Sequence, residues 1–163
     1  MDKYGDVCRT SNFHIRALRH IRPCLTQDAA ATLACCIVGT RLDYCNSALF
    51  GTSSHNLDRL QRVQNSLARV VCKAKHRSSS SPLLQSLHWL PTRQRIQFKV
   101  AVLIFKAYRE QTPAYLHEVI HLHVPCRALR SADNNQLYKP FCHSASAAKA
   151  FRSAAPEIWN ALP

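Results

Sequence analysis

The stretch LDRLQRVQNSLARVV, residues 57–71, decides the fold. Leu57, Leu60, Val63, Leu67, Val70 and Val71 recur at the three-and-four spacing of one apolar helix face. Arg59, Arg62 and Arg69 fall off that face, and the basic run Cys72-Lys73-Ala74-Lys75-His76-Arg77 follows at once. A helix of this kind seats one side in a core and turns guanidinium groups outward, either to solvent or to a polyanion. The pattern predicts a helix from about residue 56 to residue 74.

Upstream, Ser11 is placed to cap a first helix whose apolar positions are Phe13, Ile15, Leu18 and Ile21, with Arg16, Arg19 and Arg22 interleaved. Pro23 should end it, because proline disfavours helical geometry in the residue before it. Thr26 and Asp28 open a second helix with a hydroxyl cap and an early carboxylate. Its expected apolar face carries Leu33, Cys36, Ile37, Leu42, Tyr44, Cys45 and Leu49, loosened at Gly39 and stopped at Gly51. Downstream, the Ser-rich patch at 78–82 reads as a linker, dividing a basic helical region (1–77) from a second helical region (83–163). A short helix over 83–90 closes at Pro91, and Thr92 caps the next. The middle of that helix, residues 100–105, is apolar all round and so belongs at the centre of a bundle. Pro113 begins a short helix to Ile120, periodicity vanishes over 121–141, and 144–155 is helical again before a turn at Pro156 and Trp159. The expectation is a mainly α helical bundle with an irregular or extended segment near 121–142.

The 163 residues, 47% hydrophobic, suffice for a buried core and argue against global disorder. Three glycines favour helices over a β sandwich. The 22 Lys+Arg against 9 Asp+Glu give a formal charge of +13 and a pI near 9.8, a field that concentrates polyanions. Both halves share it, with 12 basic and 5 acidic side chains in residues 1–90 and 10 and 4 in the rest. The polar start and the short apolar run at 29–38 predict neither a secretory signal nor a membrane span. Eight cysteines without an export signal read as reduced, intracellular thiols, with Cys35, Cys36 and Cys45 as small buried hydrophobes.

No assembled nucleophile and base can be picked out: Cys35-Cys36 has no cationic or histidine neighbour in reach. His117 and His121, one helical turn apart, could join Cys126 and Cys142 around zinc. No Cys-x-x-Cys unit anchors that set, and scattered surface histidines, His123 and His143 among them, are the plainer reading. No cofactor is expected. Trp89 and Trp159 could stack on bases, although their apolar neighbours suit core anchors better.

Seven segments, in this order, resemble the C-terminal part of LINE-type (jockey-like, non-LTR) retrotransposon reverse transcriptases. They are RLDYCNSALFG (41–51), LDRLQRVQNSLARVV (57–71), LHWLPTRQRI (87–96), KVAVLIFKAY (99–108), PAYL (113–116), RALRS (127–131) and AAPEIWN (154–160). The resemblance covers nearly the whole chain and implies the thumb-like helices and the region beyond the polymerase palm. The family's paired catalytic aspartates, which hold two metal ions for phosphoryl transfer, have no counterpart, since no Asp-Asp pair occurs here. The endonuclease is absent as well, and relatives usually continue past the last residues with further basic sequence. The expectation is therefore a catalytically inert, intracellular fragment, nuclear or cytoplasmic, gripping RNA–DNA hybrid, RNA or duplex DNA by its backbone. The missing palm would be a possible partner, and no membrane is involved. Candidate contacts, ordered by charge density, are Arg59, Arg62, Arg69, Lys73, Lys75 and Arg77, then Arg93, Arg95 and Lys99. Two alternatives stay open: a helical module for an acidic protein partner, or a zinc-stabilised binding module.

Overall fold

The computed structural model describes residues 3–43, 50–124 and 135–162. They form a mainly α structure in which, among the described residues, the isolated antiparallel bridge Leu122–Leu137 is the one extended pairing. Helices and an extended stretch after residue 121 are what the sequence predicts. Tyr44, Cys45, Leu49 and Cys126, and residues 127–131, lie outside the described residues. No helix among those described is long and apolar enough to cross a membrane. The chain divides into two compact units, Met1–Asn46 with Thr52–Arg95, and Ser47–Gly51 with Ile96–Pro163.

The first unit is built on α1 (Lys3–Ile21) and α4 (Ser54–Val71), which pack along each other more extensively than any other pair. Every predicted stripe residue of α4 is buried, joined by Gln64 and Ala68. Ser53 caps α4, its hydroxyl accepting from the Asn56 N–H at 3.4 Å. The helix stops at Val71, three residues short of the expected end.

Ser11 is no cap. The helix starts eight residues earlier, and Ser11 is wholly buried within it with an unpartnered hydroxyl. Cys8, Ser11, Ile15, Leu18 and Arg22 are all buried at three-and-four spacing, so the packing register carries the helix past the residue whose local preference is to cap. Phe13 and Ile21, expected inside, are exposed.

Thr26 does cap α2 (Gln27–Ala34), its hydroxyl accepting from Ala29 N–H at 3.3 Å. The helix then widens into a π turn over Cys35–Gly39 and continues as α3 (Thr40–Asp43). Its buried row is Ala30, Ala34, Val38 and Leu42, whereas Leu33 is half-buried and Cys35, Cys36 and Ile37 are exposed. The expected face is corrected by two effects. Alanines let helix axes approach closely, and residues four apart drift around a 3.6-residue helix until a wider turn sets them back.

The Ser-rich stretch lies in the first unit, where Ser81 and Pro82 open α5 (Ser81–Ser86). The next helix, α6 (Thr92–Arg109), is not capped by Thr92. Pro91 O accepts from Arg95 N–H at 2.9 Å, so Pro91 holds the cap position and Thr92 is the first helical residue. The Thr92 N–H donates to Gln61 Oε1 at 2.8 Å, its hydroxyl to Gln64 Oε1 at 3.3 Å, and Gln64 Nε2 to Leu90 O at 2.8 Å. Two glutamines of α4 thereby pin the turn into α6.

In the second unit, Val100, Ile104, Leu137, Ala155 and Ile158 form a core, flanked by Phe50, Ile120, Phe151 and Trp159. The all-round burial expected for residues 100–105 does not occur. Leu103 is half-buried, and Phe98, Val102 and Phe105 are 57%, 36% and 49% exposed, because so small a unit covers one helix face. Pro113 precedes α7 (Ala114–His117), and α8 (Ala145–Ala148) is followed by α9 (Phe151–Trp159). Pro156 lies inside α9, not after it, buried beside Ala155 and Ile158. The Asn160 side-chain amide exchanges both hydrogen bonds with the Leu137 backbone at 2.9 Å, as a neighbouring strand would.

With so few glycines available, three helices are followed by left-handed residues of other types: Lys73 (φ 52°), His88 (φ 53°) and Gln111 (φ 53°). After α5 the closure is complete, with His88 N–H on Gln85 O at 3.0 Å and Trp89 N–H on Leu84 O at 2.8 Å.

Candidate nucleic-acid interface

The C-terminal end of α4 is where basic side chains of the first unit gather. Its last carbonyls are closed by Lys73 N–H on Val70 O at 3.2 Å and Ala74 N–H on Arg69 O at 2.9 Å. That double closure requires the left-handed backbone at Lys73, which glycine adopts more readily. Arg69 Nε donates to Ser78 O at 3.0 Å and folds the following chain back over the helix end.

Arg22 completes the closure from the turn after α1. It is 6% exposed, and its Nε and Nη2 both donate to Val71 O, at 2.9 and 2.7 Å. Its Nη1 donates to Leu25 O at 2.7 Å. A buried guanidinium set on the carbonyl end of a helix meets the negative end of the macrodipole, which is why its charge is tolerated without a carboxylate.

A cleft of about 450 Å³ opens beside this closure, lined by Arg19, Arg22, Arg69, Lys73 and His76 over an apolar floor that includes Pro23, Val70 and Ala74. The remaining lining residue is Ser66, whose hydroxyl donates to Arg62 O at 2.9 Å; among the described residues no carboxylate lines the cleft. Such a set of cations sets up a local field that favours anions over cations. Among its described lining residues there is no acid pair that could hold metal ions.

Of the residues singled out from sequence, Arg69 and Lys73 are brought together here. Arg62, Lys75 and Arg77 are exposed outside the cleft lining, and Arg59 is half-buried on α4. Arg93 lines a different cleft of about 430 Å³, shared with Asp58 and the amides Gln61 and Asn65. Arg95 is turned to Asp43 at 3.3 Å, with side chains 21% and 29% exposed, so its charge is engaged within the protein. Lys99, half-buried, belongs to the second unit. Arg19, Arg22 and His76 were not among the candidates. The three-residue spacing of Arg16, Arg19 and Arg22 was the signal that could have raised the two arginines.

No family model, curated protein or solved structure matches this chain. The functional reading therefore rests on charge, geometry and the sequence resemblance.

Among the described residues, no three His, Cys, Asp or Glu side chains gather as a metal site would require. His117 Nδ1 lies 2.9 Å from Ala107 O, Cys142 Sγ lies 2.9 Å from Ser153 Oγ, and His121 and His123 are exposed. Both tryptophans are half-buried. Trp159 packs on the second core and donates from Nε1 to Asn135 O at 2.8 Å.

Proposed function

We propose that this chain is a catalytically inert piece of a LINE-type RNA-directed DNA polymerase that grips nucleic acid by its phosphates, without sequence preference. The observation that carries the reading is the cation-lined cleft at the end of α4, with no carboxylate among its described lining residues, set in a chain of formal charge +13. Backbone contact needs charge and reach but no base-edge recognition, and exposed Lys75 and Arg77 just after that end, with exposed Arg62 earlier on α4, supply both. The substrate class is RNA–DNA hybrid, RNA or duplex DNA, and a polymerase palm is the protein partner that the resemblance implies. With no Asp-Asp pair in the sequence, purified chain should extend no primer with magnesium or manganese.

Fluorescence anisotropy on RNA–DNA hybrid and duplex DNA across a salt series tests the binding. Each phosphate contact contributes about 0.9 to the slope of log affinity against log salt. Replacing Arg62, Lys75 and Arg77 together by Ala should flatten that slope by about two to three units and weaken unrelated sequences equally. An unchanged slope would move the surface elsewhere. Absence of binding at low salt would overturn the reading in favour of an acidic protein partner.

A further inference from the structure

We infer that the cleft at the end of α4 is a site for a phosphomonoester, the dianionic phosphate at the end of a nucleic-acid strand. The inference rests on the nucleic-acid reading above and names the group that this one site takes.

Three arginines, one lysine and one histidine line a single concavity with no carboxylate among them. An internal phosphodiester carries one negative charge and passes its neighbours on along the strand. A terminal monoester carries about 1.5 to 2 negative charges and three acceptor oxygens in one place. A convergent set of cations matches the second better than the first, because several donors can engage one group at once. Arg22 commits one N–H from each of its three nitrogens to the carbonyls of Val71 and Leu25, which leaves two of its five donors. Its orientation is thus set before any ligand arrives, and Arg69 is likewise oriented through Ser78.

The volume points the same way. About 450 Å³ lies at the small end of ligand pockets, room for one nucleotide unit and not for a run of duplex. Pro23 and Val70 offer that unit's sugar or base an apolar floor.

The test compares one single-stranded oligonucleotide with a 5′-phosphate, a 3′-phosphate or hydroxyls at both ends, by anisotropy with the full chain. A phosphorylated end should bind about tenfold tighter than the all-hydroxyl strand, the yield of one added charge-assisted hydrogen bond. The 5′ and 3′ arms show which end is taken. A nucleoside 5′-monophosphate in excess should abolish the advantage and leave the underlying binding intact. Arg19→Gln with Lys73→Gln should remove the advantage, whereas Arg62→Gln with Arg77→Gln should lower the affinity of all three strands and keep it. Equal binding of phosphorylated and hydroxyl strands would overturn the terminal-phosphate site while leaving backbone binding in place. Binding of none of them would overturn both.

Discussion

Replacing Arg22 by Ala removes a side chain that hydrogen-bonds the turn after α1 to the end of α4. Its guanidinium makes three hydrogen bonds to two carbonyls, those of Val71 and Leu25. Hydrogen bonds to charged groups contribute about 1.5–3 kcal/mol each. The two on Val71 O share one acceptor and count as little more than one. Against the loss stands the relief of a cation that is 6% exposed, since burying charge is costly. The balance is a destabilisation of about 3 kcal/mol, or a fall in Tm of roughly 6–12 °C for a chain of this length. Arg22→Lys should recover less than half, because an ammonium is a point charge that cannot fork across both carbonyls. Urea unfolding followed by circular dichroism measures the change, with exposed Arg19→Ala as the reference. If Arg22→Ala unfolds at the same urea concentration as Arg19→Ala, the buried fork carries no stability and the account of the α4 end is wrong.

Ser11→Ala should raise stability by about 1 kcal/mol in the same assay, since a buried hydroxyl without a partner is removed and helix propensity gained; a loss would mean the hydroxyl is satisfied. Ile104→Asp should abolish the second core by forcing an unpaired carboxylate into a fully buried place, whereas Phe105→Asp, on the exposed face, should leave melting nearly unchanged. Equal damage from both would show that α6 is covered on every side. Gly51→Ala should cost about 1–2 kcal/mol, because φ is +72° there and a Cβ would meet Lys149 Cγ at 2.6 Å; Gly51→Asn, which tolerates the left-handed region, should cost less.

The helical class and the buried stripe of α4 were legible because a three-and-four pattern of large apolar side chains has few other solutions. The face of α2 was not, since its buried row is mostly small and passes through a π turn that sequence patterns do not encode. Gln64 was missed for a related reason. An amide inside an apolar stripe looks like an interruption until Thr92 and Leu90, far along the chain, are seen to satisfy it. Residues 100–105 misled in the opposite direction, because a run can be apolar on all sides without the unit having the bulk to cover them. At the candidate site, local charge density found Arg69 and Lys73 but ranked Arg95 without sight of Asp43. It also passed over Arg19 and Arg22, because the pairing of α1 with α4 that brings Arg22 to Val71 spans 49 sequence positions.

The left-handed residues after three helices offer a way to read selection without knowing the ligand. Lys73, His88 and Gln111 each occupy backbone that glycine prefers, so a laboratory population enriched for heat resistance alone should accumulate glycine at all three. A parallel population enriched for retention on immobilised nucleic acid should drift to glycine at 88 and 111 and resist it at 73. Divergence between the two populations at a single codon would then separate a lysine maintained for its charge from one that merely persists.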